Sequence, residues 1–62
     1  MVINGQITLQ FAREKETANT VRFKEVPLRG EPVAVGLLYL RKDACEALGN
    51  PEALSIKIEA AE

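Results

Sequence analysis

A lone cysteine, Cys45, in a chain of 62 residues without histidine removes two supports on which small folds commonly lean. Without a second cysteine there is no intramolecular disulfide, and without histidine a structural zinc site lacks ligands. A domain of this size buries only about 60% of the surface its unfolded chain exposes. Stability must then come from one well-packed core or from a partner subunit. The length allows a single small domain, residues 1–62.

Hydrophobic periodicity sets the elements. In "QITLQFAR", Gln6 to Arg13, Ile7, Leu9 and Phe11 alternate with Thr8, Gln10 and Ala12, the pattern of a half-buried strand. Asn4-Gly5 ahead of it is a turn pair, but too few residues precede it for a hairpin arm, so residues 1–5 are expected to fray. The polar block "EKETAN" has the length of a hairpin loop. After it "TVRFKEV" resumes alternation, with Val21 and Phe23 opposite Thr20, Arg22 and Lys24. Pro27 has no N–H to give a ladder, so this second strand stops near Val26.

"PLRGEP" is an irregular connection. "VAVGLLYLR" then carries Val33, Val35, Leu37 and Tyr39 on one side and Ala34, Leu38 and Leu40 on the other, and a strand apolar on both sides is usually buried on both. "KDACEALGNP" changes period. Asp43 has the cap position with Glu46 at capping-box spacing, Ala44 and Leu48 share a face, and Gly49 and Pro51 end a short helix. "ALSIKIEA" alternates Leu54, Ile56 and Ile58 with Ser55, Lys57 and Glu59, a last half-buried strand.

The order strand, strand, strand, helix, strand predicts an α+β fold, a small, mainly antiparallel four-stranded sheet with one short helix. Ile7, Leu9, Phe11, Val21, Phe23, Leu38, Leu40, Leu54, Ile56 and Ile58 can share one face, with Ala44 and Leu48 laid against it. The opposite face then presents Thr8, Gln10, Arg22, Lys24, Ser55 and Lys57, with Val35, Leu37 and Tyr39 as an apolar stripe among them.

Catalysis is not expected. Serines and threonines have no recognisable base beside them, Glu14 and Glu16 are solvated loop charges, and Cys45 inside the helix is a small apolar residue. No catalytic, metal or cofactor-binding residue stands out. The stripe Val35, Leu37 and Tyr39 points instead to a protein contact, most simply a homodimer, otherwise another protein partner. The alternative is single-stranded nucleic acid, with Arg22, Lys24 and Lys57 tracking phosphates and Tyr39 stacking a base. Two observations weigh against it. Eight basic residues face nine acidic ones for a net charge of -1, and Phe11 and Phe23 follow the core parity, leaving one aromatic outside. No apolar run approaches membrane-spanning length and "MVINGQITLQ" lacks a signal-peptide pattern, so a cytoplasmic protein without a membrane partner is expected.

The run "LYLRKDACEALGNPEALSIKIE", Leu38 to Glu59, resembles the central segment of AbrB-like swapped-hairpin DNA-binding domains: a strand, a basic-acidic pair, a short helix ending in Leu-Gly, then an alternating strand. That resemblance implies an intertwined dimer that binds DNA, with Arg41 and Lys42 as the basic approach to the helix. Arg41 stands where that family usually has Pro, and Glu52-Ala53 replaces its Gly-Asp. The chain is also similar to small uncharacterised bacterial and phage-associated proteins through Glu14 to Thr17, Asn19 to Phe23 and Leu38 to Lys42, a likeness that implies no biochemical activity.

Overall fold

Alternation and turn chemistry decide the elements seen in the computed structural model, which describes residues 2–3 and 5–61, with side chains from residue 5 onward. Gly5, at φ 81°, turns the chain between β1 (Val2–Ile3) and β2 (Gln6–Glu16). The next turn is closed by two threonines. The Thr17 N–H donates to the Thr20 carbonyl at 2.8 Å and the two hydroxyls meet at 2.6 Å, leading into β3 (Thr20–Glu25). β4 (Leu37–Arg41), α1 (Lys42–Ala47) and β5 (Ala53–Glu59) complete the chain.

All strand pairs are antiparallel. β5 runs along one edge of β2, from Gln6↔Glu59 to Ala12↔Ala53. β1 and β3 share the other edge end to end, β1 at Gln6 and Ile7 and β3 from Phe11 to Glu16, because a strand has only two edges. β4 lies outside β3. β4 and β5 are therefore the two outer strands, and α1 carries the chain from one side of the sheet to the other.

The α+β architecture and the order of its four main strands and helix are those expected from the sequence. β1 is an addition. Where fraying was expected for residues 1–5, Val2↔Ile7 and Ile3↔Gln6 form a two-pair arm around Gly5, while Met1 and Asn4 lie outside the described residues.

Leu9, Phe11, Val21, Phe23 and Cys45 form the buried core, and Ile7, Leu38, Leu40, Leu54 and Ile56 pack around it. Fully burying an aromatic or aliphatic side chain contributes about 1.5–3 kcal/mol, so Phe11 and Phe23, both under 2% exposed, anchor the sheet. Three expectations are corrected. The helix buries Cys45, not Ala44 and Leu48; Ala44 is exposed and Leu48, already at the C-cap, is 60% exposed. Arg41 is the N-cap and no side chain caps the helix; Asp43 lies inside the first turn, so the capping box does not form. Ile58 keeps the core-facing register opposite Ile7 but lies at the open end of the sheet, 39% exposed.

β4, the third strand expected from the sequence, is shorter than its apolar run. It begins at Leu37, and residues 33–36 are irregular. It is also not buried on both sides, because Leu37 and Tyr39 face outward.

Candidate interaction surface

Residues directly opposed across an antiparallel pair share a face. Lys24↔Leu37, Arg22↔Tyr39 and Thr20↔Arg41 therefore lie together on the face away from the core. A register shift between Arg13 and Lys15 extends this face, bringing Lys15 opposite Arg22 and leaving Glu14 as the extra residue. Leu37 and Tyr39, 43% and 56% exposed, are neighbours at i and i+2 on the outer strand beside these basic residues.

Arg22 is committed to its neighbours. Its Nη2 donates to Glu14 Oε1 at 2.8 Å, and the neighbouring Tyr39 phenol first, then the Glu14 charge, raise its pKa further above an already high value. The guanidinium is thus answered by a carboxylate and lies opposite Tyr39 across the strand pair. Its Nε has no hydrogen-bond partner.

The candidates from the sequence separate into two groups. Arg22, Lys24, Leu37 and Tyr39 come together, whereas Lys57 opposes Thr8, four residues along β2 from the Ala12↔Lys24 row and two strands across. At about 3.3 Å per residue and about 4.8 Å between strands that is about 16 Å. Lys57 therefore belongs to no single cluster with Arg22, Lys24 and Tyr39. Val35 is exposed but lies in the segment before β4, off the strand that carries Leu37 and Tyr39.

What holds that segment was missed in the sequence. Glu25, only 4% exposed, is the buried charged residue among those described. Its Oε1 accepts the N–H groups of Ala34 (3.1 Å), Val35 (2.7 Å) and Gly36 (3.0 Å), and its Oε2 accepts Ala34 as well (3.1 Å). The Glu25 N–H in turn donates to the Gly36 carbonyl at 2.8 Å. Hydrogen bonds from Gly36 and Val35, outweighing desolvation, hold the Glu25 carboxyl below its usual 4.5. Successive backbone N–H groups converging on an anion form a concave nest, and here the anion is the protein's own. Gly36, at φ 94°, supplies the backbone turn this requires. The signal was available: Val21, Phe23 and Glu25 share one parity, so a core-facing carboxylate was due at the end of β3.

A second charged cluster flanks α1. A half-open cleft of about 300 Å³ is lined by Arg13, Glu16, Val21, Lys42, Glu46 and Asn50. Glu16 pairs with Lys42 at 2.8 Å and Arg13 at 2.9 Å, and Lys42 first, then Arg13, lower its pKa. The cleft brings no nucleophile beside a base. Among the described residues no cluster of His, Cys, Asp and Glu could hold a metal ion, and no helix is long and apolar enough to cross a membrane.

Comparison with known protein families, with curated proteins and with solved structures finds no match.

Proposed function

We propose that this protein is a non-enzymatic interaction module that acts as a homodimer or through a protein partner, with Leu37 and Tyr39 at the centre of the contact and Val35 beside it. The observation that supports this reading is the pair of large apolar side chains exposed next to one another on an outer strand. Their backbone is held in place: Glu25 fixes the segment that leads into Leu37, and Tyr39 is paired with Arg22 in the β3–β4 ladder. A preorganised backbone loses little entropy on contact.

Sedimentation velocity across a concentration range tests it. Wild-type protein is expected to sediment as a dimer at high concentration, and Leu37→Glu or Tyr39→Glu to sediment as a folded monomer. A wild-type monomer at about 1 mM, a concentration at which even a very weak dimer would be populated, overturns the homodimer.

A second reading has its own support. Lys24 and Arg41 flank Tyr39 on the outer face and Lys15 lies one strand further, beyond Arg22, so a group of cations gathers there although the chain is acidic overall. That surface would bind a single strand through phosphates, with affinity falling steeply as salt rises and lost in Arg22→Glu/Lys24→Glu.

A further inference from the structure

From the backbone of β4 we infer that the partner is a second copy of this chain, joined edge to edge through antiparallel pairing of β4 with β4, Tyr39 opposite Tyr39. The inference rests on the contact reading above and specifies its geometry. In the β3–β4 ladder, Glu25 donates to the Gly36 carbonyl and Lys42 donates to the Asn19 carbonyl. Both bonds obey the register that pairs Val21 with Leu40 and Phe23 with Leu38. Leu38 and Leu40 therefore turn their N–H and C=O groups toward β3, Leu37 and Tyr39 turn both of theirs to the free edge, and Arg41 turns its N–H there while its carbonyl, at the N-cap, accepts the first helical bond.

That edge is self-complementary. Pairing about Tyr39 sets Leu37 opposite Arg41 of the second copy; the two Tyr39 residues exchange a pair of N–H···O=C bonds, and each Arg41 N–H donates to the Leu37 carbonyl of the other copy. On the core side Leu38 meets Leu40 of the second copy, closing the half-buried end of the hydrophobic cluster. On the outer side the two Tyr39 rings adjoin, with each Arg41 at the diagonal position, within reach of the partner's ring. A two-fold contact of this kind closes on itself.

The other free edge is defended. The Arg13 N–H donates to the Glu52 carbonyl, which in the β2–β5 register turns Ser55, Lys57 and Glu59 outward. A lysine in mid-strand and a glutamate beside it are standard guards against edge pairing. β4 carries its single charge, Arg41, at its end.

Amide hydrogen exchange on the wild-type protein tests this at low and high concentration. On dimerisation the Tyr39 and Arg41 amides are expected to slow by about tenfold or more, reaching the protection of Leu38 and Leu40, while Ser55 and Lys57 stay fast. A dimer whose Tyr39 amide exchanges as fast as in the monomer overturns edge pairing and leaves the contact surface standing. Slowing at Lys57 instead assigns the contact to β5 and overturns it too. Absence of any dimer ends both readings.

A variant sharpens the result. Arg41 has φ -64°, the angle a proline ring imposes, and the register makes Thr20–Arg41 a non-hydrogen-bonded pair, so its N–H points away from β3. Arg41→Pro is expected to fold and to weaken dimerisation by about tenfold to a hundredfold through loss of the edge donor, whereas Arg41→Ala keeps it. Equal weakening by both variants would assign the effect to the Arg41 side chain and overturn the edge.

Discussion

Glu16 and Glu25 are both carboxylates whose pKa is held low, yet the molecule uses them in opposite ways. Glu16, at the end of β2, is exposed and answered by two cations, Lys42 and Arg13. Glu25, at the end of β3, is buried, and three backbone N–H groups hold it. Coulomb attraction between exposed groups weakens with salt, while backbone hydrogen bonds to a buried carboxylate do not. The first fastens α1 loosely to the hairpin; the second determines the path of residues 33–36 and thereby where β4 begins.

The largest effect that would break this contrast is Glu25→Ala. It removes the shared acceptor of three N–H groups in a part-buried site, and donors left unpaired there cost more as they are more shielded from water. The urea midpoint should fall well below wild type and the Ala34, Val35 and Gly36 amides should exchange freely. Wild-type protection at those amides would show that the segment is held by something else.

Next is Gly36→Ala. A Cβ at Gly36 meets only Val33 Cγ1, at 3.9 Å, so space is not the obstacle. The backbone at φ 94° is, and Gly36 both donates to and accepts from Glu25, so it cannot relax without opening the nest. A left-handed backbone costs an L-residue about 1–2 kcal/mol, which equilibrium unfolding in urea would register.

Acid separates the two sites by their salt response. Both carboxyls are depressed in the folded state, so each contributes stability that is fully present above the usual 4.5 and is lost as pH falls through the lower folded value. An NMR titration of the side-chain carboxyls should show Glu25 titrating below 4.5 in low and high salt alike, and Glu16 moving back toward 4.5 at about 1 M salt, where the screening length is about 3 Å. Equal salt sensitivity of the two would erase the distinction.

The smallest effect belongs to Glu16→Gln. Exposed ion pairs contribute little, so its unfolding midpoint should shift slightly at low salt and match wild type at high salt. A shift as large as that of Glu25→Ala would mean that the hairpin and α1 are coupled more strongly than their exposed contacts imply.

The sheet was legible because alternation is a direct record of which face is buried. Leu9 and Phe11, Val21 and Phe23, Leu38 and Leu40, Leu54 and Ile56 all follow their expected parity. Where backbone chemistry overrides alternation, the pattern misleads. Val33 to Gly36 has the composition of a strand, but its N–H groups are taken by Glu25 instead of a neighbouring strand. The helix was placed by its capping signals, yet it starts directly from β4 at Lys42, which turns Cys45 inward and Leu48 outward. Of the site residues, Arg22, Lys24, Leu37 and Tyr39 could be grouped by parity alone. Lys57 could not be separated from them, because parity gives the face of a residue but not its distance across the sheet. Lys15 joined the face only through the shift after Arg13, which no local pattern announces.

The most direct test of the contact reading is a proton–nitrogen NMR spectrum with relaxation data, recorded before and after adding a mixed single-stranded oligonucleotide pool at low salt. The account predicts slow tumbling of a dimer and no shifts on titration. Fast, monomeric tumbling with shifts clustered on Lys15, Arg22, Lys24 and Tyr39 would contradict it and assign the outer face to nucleic acid.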